Sequence, residues 1–91
     1  MAEIEYDSEK ARQNIDKHGV SLEHAARIFH GSVVEYEDSR KDYNETRFIA
    51  MGAVDGRVYV IVYTWRNGRR RIISARKANR REQHDYYSKD A

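Results

Sequence analysis

The sequence predicts an α+β fold: a small antiparallel sheet of three to four strands, with two helices before it and one after it. Three observations carry that expectation. Apolar residues recur at helical spacing through the first thirty or so positions, and the period changes to two from Arg47 onward. Two dipeptides suited to tight hairpins, Asp55-Gly56 and Asn67-Gly68, divide the second half into strand-length pieces. A capping-box pattern, Asn79 with Glu82 three residues later, then opens a last helix. The 91 residues are enough for one domain spanning 1–91, near the size at which a core buries about two-thirds of the unfolded chain's surface.

In chain order, Ile4 and Tyr6 alternate with Glu3 and Glu5 as a brief edge strand over residues 3–6. Asp7 offers a carboxylate to the free N–H groups of a helix over residues 8–18. Ala11, Ile15 and His18 form its inner face with Asn14 beside them, and Gly19 stops it. Ser21 caps a second helix with Leu22, Ala25, Ile28 and Phe29 on its apolar face, ended by Gly31. Val33, Val34 and Tyr36 mark a strand or an extended crossing, and Glu35 to Glu45 is polar enough to be a surface loop. Arg47–Val54, Arg57–Trp65 and Arg69–Ala75 are the three strands of the meander. The middle one is apolar on both faces, as a central strand would be. One of its faces carries Tyr59, Ile61, Tyr63 and Trp65, which suits either a core or a platform for bases. Tyr86 and Tyr87 are available to dock the last helix.

Charge divides the chain. Residues 1–65 carry eight Lys/Arg against twelve Asp/Glu, and residues 66–91 carry nine against three, so a net −4 is joined to a net +6. From Arg66 to Arg81, eight of sixteen residues are cationic, and the stretch contains no acidic residue. Such a segment repels itself unless a polyanion or an acidic partner compensates it, which makes nucleic acid the first candidate ligand. Cysteine is absent, so disulfide and thiol chemistry are excluded. The scattered histidines have no zinc spacing, and no carboxylate cage or phosphate-binding glycine loop is present, so neither a metal nor a cofactor is expected. No apolar run approaches a membrane span, and residues 1–15 lack a signal-peptide core; the expectation is a cytoplasmic protein that engages no membrane.

An ordered set of motifs covers nearly the whole chain. It comprises Tyr6-Asp7, Asn14, Lys17-His18-Gly19-Val20, Arg47-Phe48-Ile49-Ala50-Met51-Gly52, Tyr63-Thr64-Trp65-Arg66, and Arg71-Ile72-Ile73-Ser74-Ala75-Arg76-Lys77-Ala78 with Arg80-Arg81-Glu82. In this order and spacing the sequence resembles the BrnT ribonuclease toxins of bacterial type II toxin–antitoxin systems, which are similar in fold to the RelE group of messenger-RNA endoribonucleases. Ser8 departs from the resemblance, since the family often has proline there; the change touches a helix start. The resemblance implies a RelE-like fold, RNA as substrate, a cognate BrnA-like antitoxin that neutralises the toxin, and contact with operator DNA only through the toxin–antitoxin complex.

Metal-independent RNA cleavage uses the ribose 2′-hydroxyl as nucleophile and must stabilise charge on a phosphorane. Arginine suits that task, because its planar fork holds two phosphate oxygens and stays protonated. Arg66 at the hairpin mouth, and Arg71 and Arg76 bracketing the Arg-Ile-Ile-Ser-Ala-Arg segment, are the candidates; Arg69, Arg70, Lys77, Arg80 and Arg81 are candidates for binding the RNA backbone. Plain alternation points Arg71 and Arg76 to opposite faces, and only a break in the strand would bring them together. His18 is a candidate general base by the Lys-His-Gly motif, or a partner for the last carbonyls of its helix. His84 is a second candidate, and Tyr86 a third by analogy with RelE-like enzymes, with helix docking as its alternative. Glu82 reads as a cap in preference to a base. The competing function is a non-catalytic basic module that binds an acidic protein partner or operator DNA.

Overall fold

The computed structural model describes residues 3–39 and 44–89. Its elements are β1 (Ile4–Glu5), α1 (Ser8–His18), α2 (Leu22–Ala25) running into a 3₁₀ turn (Ala26–His30), β2 (Val33–Asp38), β3 (Arg47–Val54), β4 (Arg57–Arg66), β5 (Arg69–Lys77) and α3 (Arg80–Lys89). The five strands form one sheet in the order β1-β5-β4-β3-β2. This corrects the expectation of three to four antiparallel strands: β1 joins as a parallel edge, with Ile4 opposite Arg70 and Glu5 opposite Arg71. The strand at residues 33–38 extends into the segment expected to be a loop, because Glu35 to Asp38 pair with Ala50 to Arg47 despite their charge. On this edge strand Glu35 and Glu37 remain exposed, so the ladder costs them little, and Asp38 is the one that becomes buried.

Both hairpins form at the predicted dipeptides. Asp55 and Gly56 have φ of 51° and 80°, and Asn67 and Gly68 have 52° and 75°, the left-handed pair that a two-residue turn matching strand twist requires. The predicted caps are present too. Asp7 accepts from the Lys10 N–H, Ser21 accepts from the His24 N–H, and Gly19 ends α1 in the left-handed conformation. In α3, Glu82 Oε1 accepts from the Asn79 N–H at 2.9 Å while Asn79 Oδ1 accepts from the Glu82 N–H at 2.8 Å. Those two bonds are the reciprocal capping box.

The sheet separates two apolar layers. On one face Leu22, Ala25, Ala26 and Ile28 pack on Ala50, Tyr59, Ile61, Tyr63, Ile72 and Ala75. On the other, α3 sets Tyr86 and the preceding Ala78 against Ile49, Met51, Val58 and Val60. Tyr59, Ile61 and Tyr63 are therefore core, while Trp65 at the strand end is 45% exposed. Gly52 permits the closest approach between layers: a Cβ there would lie 2.7 Å from Ile28 Cβ. The inner face of α1 differs from expectation, since Ile15 is 52% exposed and Asn14 is buried.

Asn14 is buried for a specific reason. Its amide donates to Val20 O at 2.9 Å and to Ala75 O at 2.8 Å, and its Oδ1 accepts the Ala75 N–H at 3.1 Å. The side chain thus imitates one residue of an adjacent strand. It continues the edge of β5 beyond the point where the two-residue β1 stops, and satisfies backbone groups that would otherwise be buried without partners.

Candidate active site

The strand carrying the arginines is not regular. Between β4 and β5 the pairing steps from Tyr63–Ile72 to Val62–Ser74, leaving Ile73 as an extra residue on β5. A bulge of this kind resets the side-chain alternation. Before it, Arg70 and Ile72 share the face covered by α2; after it, Ala75 and Lys77 do. Arg69, Arg71, Ser74 and Arg76 consequently all lie on the other face, opposite Arg66, Thr64, Val62 and Val60. The break that the candidate pair needs is at Ile73.

On that second face a cleft of about 420 Å³ opens beside α3. Val60, Val62 and Ile49 form its floor, Arg76, Ser74 and His18 stand along the β5 side, and Tyr36, Asp38 and Ser39 along the β2 side. Arg76 is clamped there by Glu82, with Nη1–Oε1 and Nη2–Oε2 both at 2.8 Å. The Arg76 guanidinium, ahead of the Asn79 N–H, holds the Glu82 carboxyl below its ordinary value, against the opposing effect of burial. Glu82 is therefore a cap and an arginine clamp together. Arg76 keeps 43% of its side chain exposed to the cleft.

The remaining candidates separate. Arg71 lies along the same face and pairs with Glu5 at 3.6 Å, and Arg69 pairs with Glu3 at 3.2 Å. Arg66 sits at the hairpin end, 4.0 Å from Glu45. Six residues of β4 separate it from Val60, the partner of Arg76, or about 20 Å at strand rise. Arg70 points the opposite way. Its guanidinium lies 4.2 Å from the Phe29 ring centroid and 4.7 Å from that of Trp65, with Tyr63 at 5.5 Å. Its buried Nε has no hydrogen-bond partner, and the ring faces take the place of one. Lys77 is on that face too, opposite Tyr59, whereas Arg80 and Arg81 are exposed in the first turn of α3. Tyr86 is buried and donates its hydroxyl to Ser32 O at 2.8 Å, so it docks α3 and does not line the cleft. His84 is exposed on α3, beside Ser88.

The basic segment is less uncompensated than its composition implies. Glu3, Glu5 and Glu82 face Arg69, Arg71 and Arg76, and Glu45 lies 4.0 Å from Arg66 while pairing with Arg47 at 3.3 Å. All four carboxylates lie outside the segment; Glu82 follows it directly, and the fold brings the other three alongside. Tyr36, Asp38 and Ser74 are cleft residues that sequence reasoning missed; the alternation of Val34, Tyr36 and Asp38 was the available signal, obscured by the charge around it. Among the described residues no group of three or more His, Cys, Asp or Glu side chains can hold a metal ion.

The protein that carries this cleft falls in a known class, the ribonuclease toxins of type II toxin–antitoxin systems. Within that class the chain belongs to the BrnT family, whose model matches residues 6–82. That span takes in His18, all four strands after β1, and Glu82. The comparison with curated proteins gives no match. Membership of the family implies an antitoxin as partner. No helix among the described residues is long and apolar enough to cross a membrane.

Proposed function

We propose that the chain is a metal-independent endoribonuclease whose reaction takes place in the Arg76–His18 cleft. The observation that carries this reading is the bulge at Ile73, which brings Arg76 and Arg71 to one face and Arg76 into the cleft that His18 lines. His18 accepts the proton of the ribose 2′-hydroxyl as that oxygen attacks the adjacent phosphorus. Arg76 stabilises the negative charge gathering on the phosphorane oxygens. The bond to the 5′-oxygen then breaks, and that oxygen takes a proton from solvent. The products are a 2′,3′-cyclic phosphate and a 5′-hydroxyl. Positioning and charge stabilisation supply most of the acceleration.

Glu82 keeps the guanidinium oriented before substrate arrives, which lowers the cost of ordering it in the transition state. Arg71, Arg69 and Arg66 continue along the same face and hold successive phosphates, exchanging their present carboxylates for the RNA backbone. Arg66 is thus a binding residue in place of the catalytic one that the sequence implies. Arg70 is structural. The antitoxin neutralises the toxin by covering the cleft, which a structure of the complex with Arg71 and Arg76 open to solvent would contradict.

Incubation of the purified protein with end-labelled naked RNA in chelator tests the reading. Fragments ending in 2′,3′-cyclic phosphate are expected from the wild type and not from Arg76→Ala. Intact RNA with the wild type, together with growth that continues when the protein is expressed without its antitoxin, would overturn it.

A further inference from the structure

Among the described aromatic residues Tyr36 stands apart. Tyr59, Tyr63, Phe29, Phe48, Trp65, Tyr86 and Tyr87 each pack edge-on or stacked against another ring, and Tyr6 hydrogen-bonds Glu23. Tyr36 has neither a ring partner nor a hydrogen bond among the described residues, and it is 54% exposed. Trp65 and Tyr87 are about as exposed but rest against another ring, whereas Tyr36 stands half in water without one, on the wall of the cleft that faces Arg76. Cross-strand register sets the geometry. One row across the sheet reads Tyr36, Ile49, Val62, Ser74; the next reads Val34, Met51, Val60, Arg76. The aromatic wall and the cationic wall are thus three strand spacings apart, about 14 Å between backbones, with an aliphatic floor between them. Side chains reaching in from both walls narrow that gap to the span of one nucleotide.

We infer that Tyr36 is the stacking platform for an unpaired RNA base, whose phosphate lies at Arg76 and whose base crosses the aliphatic floor. The inference rests on the ribonuclease reading for its ligand and adds a specificity-determining residue to it. Each part has a chemical reason. The ring's open face offers the sequence-tolerant stacking by which proteins grip single strands, and the apolar floor excludes water beneath the base. A base in a duplex has both faces covered by its neighbours and cannot enter, so the substrate class is single-stranded RNA or an unpaired loop.

The test uses short RNA oligonucleotides with a 2′-deoxy nucleotide at the cleaved position, so that binding is read without turnover, and a parallel series with an abasic residue placed at each position in turn. Wild-type protein should lose about tenfold in affinity when the abasic residue falls at one position next to the deoxy nucleotide. Tyr36→Phe should show the same loss. Tyr36→Ala should bind the complete oligonucleotide about tenfold more weakly and be indifferent to the abasic position. Retention of the abasic penalty in Tyr36→Ala, with the variant folded by circular dichroism, would overturn the inference. Cleavage of the all-ribose oligonucleotide separates this from the parent reading. Cutting without the coupling removes the Tyr36 subsite and leaves the ribonuclease, whereas the coupling without cutting keeps the subsite and removes the catalysis.

Discussion

Arg70 and Arg71 are adjacent in sequence and occupy opposite faces of the same strand. Arg70 lies among Phe29, Tyr63 and Trp65, its charge facing ring surfaces and its Nε shut away from water. Arg71 faces the other side, in a row with Arg69 and Arg76, partly exposed and 3.6 Å from the Glu5 carboxylate. Composition gives the two residues the same weight, and alternation gives them different work. A cation held among aromatic rings stabilises the sheet end, while a partly exposed cation paired with a carboxylate can exchange that partner for a phosphate. The comparison extends to Arg76, which regular alternation would place with Arg70 and which the Ile73 bulge places with Arg71. One inserted residue decides which arginines share a face.

The largest effect expected from this division is on chemistry. Arg76→Ala should lower the rate of RNA cleavage by about 10²–10³-fold, the scale of removing one preorganised charge-stabilising group, while Arg66→Ala costs no more than about tenfold. Single-turnover assays on folded variants measure both. The next effect is on stability. Asn14→Ala removes three hydrogen bonds and leaves the Ala75 backbone unpaired at the edge of β5, for a loss of about 3 kcal/mol in urea unfolding. Because Ala75 lies between the bulge and Arg76, cleavage should fall in the same variant even where it remains folded.

A third comparison sets the two faces directly against each other. Arg71→Ala should reduce the dependence of log affinity for single-stranded RNA on log salt by about 0.7, one phosphate contact, with little change in melting. Arg70→Ala should do the reverse, lowering stability by about 1–2 kcal/mol and leaving the salt slope unchanged. Equal slopes in the two variants would break the comparison. The smallest effect belongs to Glu82. Its carboxyl is depressed by Arg76, so the clamp contributes stability above the ordinary glutamate value of 4.5 and loses it as pH falls through the lowered value. Glu82→Gln should flatten the acid limb of the stability profile by a small amount, since the pair is partly exposed.

Much of this molecule was legible in its sequence. The helix caps, both hairpin turns and the central strand follow from local chemistry, in which Asp7, Ser21, Asp55-Gly56, Asn67-Gly68 and Asn79 each act on their own neighbours. What escaped is non-local. Nothing near Asn14 announces that it will imitate a strand beside Ala75, sixty-one residues away. The parallel pairing of β1 depends on a chain that has already crossed the sheet. β2 was obscured because Glu35, Glu37 and Asp38 carry the charge of a loop while their backbone carries the pairing of a strand. At the candidate site, residue type pointed to arginine, while facing depended on a bulge that no residue near Ile73 advertises. The same limit applies to charge: the carboxylates that match the arginines arrive from Glu3, Glu5 and Glu45, outside the basic run.

In the proposed reaction RNA meets Arg71 and Arg76 together and does not meet Arg70. The most direct measurement is NMR of the arginine Nε–H resonances during titration with an oligonucleotide made uncleavable by 2′-deoxy substitution. Arg76 and Arg71 should shift in step with RNA concentration, with His18 ring signals moving alongside, while Arg70 stays in place among its rings. Shifts at Arg70 and Lys77 with Arg76 unmoved would place the RNA on the opposite face and contradict the account.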